Sequence, residues 1–148
     1  MDLTMLLADS AGDTAHGKLS ALGMGWTRIP EPVPGFTIIG FAVFTPDEAA
    51  EPHKLTITLC DLEGNPVMGT PEKEMVRIDA ELHGQLADDL ENYELVRIQF
   101  AVPIPGGMPV KPGGYEFQAV MDDANEPAAR CRFRVTPSPV PRMEQAVA

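Results

Sequence analysis

Apolar and polar residues alternate with a period of two along much of the chain, the pattern of a β-strand that buries one face and exposes the other. The alternation is clearest in residues 75–82, 94–102 and 54–60. In the first of these segments one face carries Val76, Ile78, Ala80 and Leu82, and the other is charged. A helical period is almost absent, so the pattern predicts an all-β domain.

The last strong alternation predicts a hairpin. Residues 115–121 and 130–135 each alternate, and the turn-forming run Pro112–Gly114 precedes the first of them. The outward face of the second strand carries three arginines, Arg130, Arg132 and Arg134. We expect these side chains to face Glu116 and Asp122 across the strands, as opposite charges in a sheet do. A site for an anion is the alternative interpretation of the same three arginines.

One segment, Phe36–Phe44, is apolar on both faces. An antiparallel strand normally has a polar outer face, so a strand without one is either covered by another element or lies in an interface. Both interpretations are open from the sequence. For the second, we expect the interface to use this strand and the apolar stretch before it, through Ile39, Phe41 and Val43 with Met24 and Trp26 nearby.

Turn residues are frequent enough to divide the chain into many short strands. The 148 residues include 13 glycines and 15 prolines. We therefore predict one antiparallel β-sandwich of about seven to nine short strands, immunoglobulin-like or jelly-roll-like, over residues 1–136. We also predict a helical turn that begins at Pro46. Residues 84–93 are expected to form an acidic loop or a short helix, and residues 137–148 a Pro-rich extended tail.

Charge and composition narrow the range of partners. Eleven basic residues against 22 acidic ones give a net charge of −11, so we expect neither nucleic acid nor a membrane as a partner. No apolar run approaches the roughly 18 residues of a spanning helix, and the first residues lack the basic start of a secretory signal. Cys60 and Cys131 fall within predicted strands and are expected to be reduced core thiols, with a disulfide between them as the alternative. Without a signal peptide, the expected location is the cytoplasm.

Common catalytic motifs are absent from the sequence. His16, His53 and His83 lack the spacing of metal ligands, no serine lies in a nucleophile elbow, and no phosphate loop is present. We therefore expect no enzyme activity and no cofactor. The loops of a sandwich can gather oxygen ligands for Ca²⁺ at one end, and the candidates are Asp61, Glu63, Asn65, Asp122 and Asp123. The alternative is that these residues only stabilise turns.

Four short runs carry a resemblance to a known family. They are Leu6–Ala11, Gly17–Leu19, Leu22–Trp26 and Pro112–Phe117, the last followed by Asp122. Together they resemble an uncharacterised family of small bacterial and actinobacterial proteins, over roughly the whole chain to Val135. The resemblance implies an all-β fold. It implies no activity, so no functional residue is carried over.

The hypothesis that agrees with these observations is a non-enzymatic binding or assembly module. Its partner is another protein or a second copy of the chain, with a homo-oligomer as the expected state. A specific form is a structural component of a larger phage-derived or encapsulated assembly, in which the tail from Pro137 docks onto a neighbour as extended backbone. The alternatives are a module that binds calcium or a small ligand, and an enzyme without a recognisable motif.

Overall fold

The computed structural model describes residues 1–13 and 18–138 of the chain. This part contains twelve strands and one short helix. In chain order they are β1 (Asp2–Ala8), β2 (Ser10–Asp13), β3 (Leu19–Leu22), β4 (Arg28–Pro30), β5 (Phe36–Phe44), α1 (Pro46–Ala49), β6 (His53–Asp61), β7 (Met68–Thr70), β8 (Lys73–Glu74), β9 (Arg77–Leu82), β10 (Val96–Ile104), β11 (Gly113–Met121) and β12 (Ala129–Thr136).

Eight strands form two larger sheets that share one hydrophobic core. One sheet has the order β1-β5-β10 and the other the order β4-β12-β11-β6-β9. Every neighbouring pair is antiparallel except β4, which runs parallel to β12. The all-β, sandwich-like fold class is therefore confirmed. The total of twelve strands exceeds the predicted seven to nine because two small hairpins, β2–β3 and β7–β8, lie in short segments without a clear alternation.

The core is built from the inward faces of the alternating segments. Leu55, Ile57 and Leu59 on β6 are fully buried, as are Phe117 on β11 and Val135 on β12. Burying a side chain of this size stabilises a fold by roughly 1.5–3 kcal/mol. The strands that the period-two pattern predicted are thus the ones that hold the two sheets together.

The strand that is apolar on both faces, β5, is the central strand of its sheet. Its inner face belongs to the core. On its outer face Ile39 is only 6% exposed and Phe41 is half-buried, with the Arg97 guanidinium 5.1 Å from the Phe41 ring centroid. The β2–β3 hairpin contacts β5 and β10, and the Leu19 N–H donates to Gln99 Oε1 at 2.6 Å. The interpretation as a covered central strand therefore describes β5.

A glycine at the middle of β5 lets an aromatic ring enter the core. Gly40 pairs directly with Phe100 on β10, and a Cβ at Gly40 would overlap the tip of the Phe100 ring. The predicted helical turn after Thr45 is also confirmed. Thr45 Oγ1 accepts from the Glu48 N–H at 3.3 Å, and Glu48 Oε1 accepts from the Thr45 N–H at 3.0 Å. This reciprocal capping box explains why a helix of a single turn forms here.

Candidate functional site

Four exposed arginines lie together on the outer surface of β4 and β12. We call this surface the arginine face, and it consists of Arg28, Arg130, Arg132 and Arg134. Arg134 is the direct register partner of Arg28 on the neighbouring strand. The three residues on β12 alternate along the strand, so they share its outward side. Like charges placed directly opposite each other in a sheet are destabilising, so this row is costly unless an anion covers it.

Only one of the four arginines forms an ion pair in the described part of the chain. Arg132 lies opposite Glu116, as the sequence predicted, with Nη2 3.8 Å from Glu116 Oε1. The Glu116 side chain is almost completely buried, and it also accepts a hydrogen bond from Gln118 Nε2 at 3.2 Å. Within residues 1–13 and 18–138, Arg28, Arg130 and Arg134 form no ion pair. The expectation for Asp122 is wrong, because this residue faces β6 instead.

An acidic segment lies at the other edge of the same sheet. We call residues 83–95, which join β9 to β10, the acidic loop. It contains four exposed carboxylates, from Asp88, Asp89, Glu91 and Glu94. Tyr93 and Leu95 are 80% and 66% exposed, and Leu86 is exposed as well. Loops of this length without regular structure are uncommon in domains and are usually functional or mobile. The predicted alternative of a short helix is wrong, since this segment forms isolated turns.

The five residues predicted for an interface do not share one surface. Ile39, Phe41 and Val43 lie on the outer face of β5. Trp26 lies on the inner side, with its ring edge-on to Phe36 at 5.4 Å and to Phe133 at 6.3 Å between centroids. Met24, which is 60% exposed, lies in the pocket that Trp26 lines. β5 therefore separates the two groups, so these five residues do not form a single apolar patch.

The residues predicted for calcium lie at opposite ends of β6. Asp61 ends the strand, and its Oδ1 accepts from the N–H groups of Glu63 at 2.9 Å and Asn65 at 3.0 Å. Asp122 lies beside Lys54 at the start of the strand, where its Oδ1 accepts from the Lys54 N–H at 2.9 Å. Seven residues of strand correspond to about 23 Å. The two groups therefore do not form a common site, and the Asp61 carboxylate stabilises a turn.

Asp122 and His53 form a polar pair at the start of β6. His53 Nδ1 is 2.7 Å from Asp122 Oδ2, and His53 Nε2 is 2.6 Å from the Glu48 carbonyl oxygen. Both contacts raise the pKa of His53, and the contact with Asp122 has the larger effect. In return, the hydrogen bond with His53 lowers the pKa of Asp122. The ring also stacks on Phe44, with centroids 4.6 Å apart. Because both ring nitrogens face acceptors, only the imidazolium form satisfies both contacts. The pair joins β6 to the β11–β12 loop and is structural.

The two cysteines are free thiols, as expected. Cys60 is the register partner of Glu116 and Cys131 that of Phe117, so the two thiols point to opposite faces of the sheet. Burial raises the pKa of both thiols above the ordinary value. A thiol held in its protonated form is a poor nucleophile, so neither residue has the character of a catalytic cysteine.

No cluster of metal ligands is found in the described residues, where no three side chains of His, Cys, Asp and Glu are grouped to hold a metal ion. His16 lies outside the described residues, as does the predicted tail from residue 139. In the same part of the chain no helix is long and apolar enough to cross a membrane.

Fold and surface together define an acidic, sandwich-like β-domain with charge of opposite sign at its two sheet edges. The chain belongs to a family of unknown function (DUF6941), whose model matches residues 3–136. This confirms the membership in an uncharacterised family that the N-terminal runs implied. No curated protein matches the chain.

Sequence reasoning missed Arg28 and the exposure of the acidic loop. Arg28 lies on a strand of three residues that pairs in parallel with the last strand of the fold, 106 positions away along the chain (134 − 28). A strand this short has no detectable alternation, and parallel pairing with a distant strand leaves no local signal.

Proposed function

We propose that this protein is a non-enzymatic assembly module that associates head to tail, with the acidic loop of one copy bound to the arginine face of the next. The observation that carries the proposal is the row of arginines on β4 and β12, three of which have no carboxylate partner within the described residues, in a chain of net charge −11. The two free thiols suit a reducing compartment, so we place the module in the cytoplasm.

Charge complementarity is the main argument for a second copy as the partner. The acidic loop supplies four carboxylates, and the arginine face supplies four guanidinium groups. Arginine binds carboxylates with two parallel hydrogen bonds, which gives direction as well as attraction. A single exposed ion pair contributes only about 0–1 kcal/mol, so several must form together to hold a complex.

Apolar groups beside the charges supply the rest of the contact. Leu62, half of whose surface is exposed, lies over Gly114 next to Arg132 and Arg134. On the acidic loop, Tyr93 and Leu95 are the most exposed large apolar residues. A tyrosine ring placed over a guanidinium group gains about 0.5–2 kcal/mol, and interfaces are enriched in both tyrosine and arginine.

The positions of the two surfaces determine what kind of assembly forms. The acidic loop follows β9 and the arginine face includes β4, the two edge strands of the five-stranded sheet. Four strand spacings separate these edges by about 19 Å. A contact between two different surfaces of one chain is heterologous, so it propagates and produces a ring or a filament. This geometry supports the role of a structural component in a larger assembly.

Mixing two association-deficient variants tests the proposal. Arg134→Glu removes the arginine face and keeps the loop, whereas Asp89→Arg weakens the loop and keeps the arginine face. We expect wild-type protein to form concentration-dependent oligomers in light scattering coupled to size exclusion, and each variant alone to be monomeric. A mixture of the two should form a one-to-one complex, because one intact contact remains.

Lys73→Glu is the matched control, since it changes the net charge as Arg134→Glu does but at an exposed position on β8. It should oligomerise as wild-type protein does. A wild-type protein that stays monomeric at every concentration contradicts the proposal, as does a mixture of the two variants that stays separate.

A further inference from the structure

A cleft of about 590 Å³ lies beside Trp26, between the loop that joins β3 to β4 and the end of β1. Pockets of roughly 300–1,000 Å³ hold small organic molecules. The apolar lining comes from Met24 and Trp26 in the loop and from Pro30 and Pro34. Met24 is 60% exposed, and a flexible methionine adapts its shape to a bound group. We call this cleft the Trp26 pocket, and its lining favours a ligand with an apolar part.

Two charged side chains of opposite sign line the same pocket. Asp9, which follows β1, and Arg28, the first residue of β4, both reach it, and both are exposed. Within residues 1–13 and 18–138 they form no ion pair, either with each other or with another side chain. Because the two groups do not contact each other, a ligand can lie between them. A carboxylate and a guanidinium in one pocket fit a ligand that carries both charges.

The Asp9 carboxylate has a defined position on its wall of the pocket. A Cβ at Gly23 would collide with this carboxylate, so only glycine permits the close approach. Gly23 also has a φ of +59°, which other residues rarely adopt. The Asp9 N–H donates to the Leu22 carbonyl oxygen at 3.0 Å. The Gly25 N–H donates to the Leu7 carbonyl oxygen at 2.7 Å, so the loop is fixed to β1 on both sides of Met24.

A carboxylate beside Arg28 would relieve an electrostatic cost of the fold. Arg28 is the direct register partner of Arg134 on β12, and like charges opposite each other destabilise a sheet. A guanidinium group binds a carboxylate with two parallel hydrogen bonds. The carboxylate of a ligand therefore belongs at the Arg28 wall, and its ammonium group belongs at the Asp9 wall.

The Trp26 indole supplies a further donor for that carboxylate. In the described part of the chain, its Nε1–H is the only buried side-chain polar group without a hydrogen-bond partner. Burying a donor without an acceptor is costly, so an acceptor that satisfies it is favoured. The Nε1 atom is covered by protein, so this bond requires a small turn of the ring towards the pocket. A Cβ at Gly25 would meet no atom within 4 Å, so the neighbouring loop has room for the turn.

We propose that the Trp26 pocket binds a free amino acid with an apolar side chain. Its ammonium group pairs with Asp9, and its carboxylate binds Arg28 and the Trp26 N–H. Its side chain packs against Met24 and the two prolines of the pocket. The proposal goes beyond head-to-tail association and does not depend on it. Arg28 also belongs to the arginine face, and a bound amino acid leaves the three arginines of β12 to the acidic loop.

The fluorescence of Trp26 measures this binding, because the chain contains one tryptophan. L-Leucine is the probe, since it has both charges, an apolar side chain and no fluorescence of its own. We expect a saturable change in the emission of the full-length protein. Isocaproate lacks the ammonium group of leucine, and leucinamide lacks its carboxylate. Each should bind at least about tenfold more weakly than leucine, because one charge-assisted contact is lost.

Variants of the two charged walls assign these contacts. Arg28→Gln and Asp9→Asn should each weaken leucine binding at least about tenfold. Both residues are exposed, so both variants should fold, and their melting temperatures check this. Arg130→Gln is the matched control, since it removes an exposed arginine that lies outside the pocket. It should bind leucine as wild-type protein does.

Three results would overturn the proposal. The first is that leucine changes neither the emission of Trp26 nor the NMR chemical shifts of the pocket amides at any soluble concentration. The second is equal binding of leucine by wild-type protein and both wall variants, and the third is equal binding of leucine, isocaproate and leucinamide. Light scattering measures association of copies separately, so a failure here leaves head-to-tail association standing.

Discussion

Replacing Asp122 with asparagine keeps the shape of the side chain and removes the negative charge that holds His53 in its imidazolium form. In the folded protein His53 Nδ1 lies 2.7 Å from Asp122 Oδ2, and His53 Nε2 lies 2.6 Å from the Glu48 carbonyl oxygen. The amide of the variant still offers an oxygen to the ring or to the Lys54 N–H. We therefore expect the fold to persist and its stability to fall.

The size of the loss follows from the contact that is removed. A hydrogen bond between charged groups contributes roughly 1.5–3 kcal/mol, and the partial exposure of the pair reduces this to about 1–2 kcal/mol. In a domain of this size each kcal/mol shifts the melting temperature by about 2–4 °C. Asp122→Asn should therefore melt a few degrees below wild-type protein at mildly acidic pH.

The pH dependence gives the sharper signature. The folded-state pKa of His53 lies above its ordinary value of 6.5, so the stability it contributes is fully present below pH 6.5 and is lost as the pH rises through the higher folded-state pKa. The pKa of Asp122 lies below its ordinary value of 3.8, so its contribution is present above pH 3.8 and is lost as the pH falls through the lower folded-state value. The difference between wild-type protein and Asp122→Asn should be largest between these two limits.

Thermal and urea unfolding across this pH range measure the effect. His83→Gln is the matched control, because His83 is exposed and, among residues 1–13 and 18–138, forms an ion pair only with the nearby Glu81, at 3.2 Å. It should follow the wild-type stability curve throughout. A stability difference for Asp122→Asn that stays constant with pH, or that grows at alkaline pH, would refute the assignment of an imidazolium to His53.

Three further predictions concern the fold and the acidic turns. Gly40→Ala should cost roughly 1–3 kcal/mol in urea unfolding, because the new Cβ displaces the Phe100 ring from the core, and a cost near zero would contradict this packing. Thr45→Ala should cost about 1 kcal/mol through loss of the capping box, and Thr45→Ser should restore most of it. Millimolar Ca²⁺ should leave the melting temperature unchanged, since the Asp61 carboxylate already binds two backbone N–H groups; a clear rise would reinstate a calcium site.

The strands of the core were predictable because burial on one face imposes a period of two. The segments with clear alternation agree to within two residues with the ends of five observed strands: β6, β9, β10, β11 and β12. The cross-strand pair of Glu116 and Arg132 was predictable for the same reason, since alternation places charges on one face of a hairpin. Local pattern and tertiary structure agree wherever a strand separates core from water.

The remainder was not predictable, because it depends on contacts between distant parts of the chain. Asp122 was expected to face an arginine on β12, but the turn places it beside His53 on β6, the strand on the other side of β11. Trp26 and Phe41 are separated because only one face of β5 packs against the second sheet. Both faces of this strand are apolar, so the sequence pattern does not show which of them is buried. A candidate surface built from such residues can only be located once the sheet order is known.

The effect of salt on association separates the two surfaces that could join copies of this chain. At a net charge of −11 two copies repel each other, and salt weakens this repulsion. A contact through the half-buried apolar residues Phe41 and Val43 should therefore tighten as salt rises. A contact between the arginine face and the acidic loop should weaken, because the Debye length falls from about 10 Å at 0.1 M to about 3 Å at 1 M. We expect weaker association at high salt in sedimentation equilibrium. Stronger association would contradict the charge contact and return the interface to the outer face of β5.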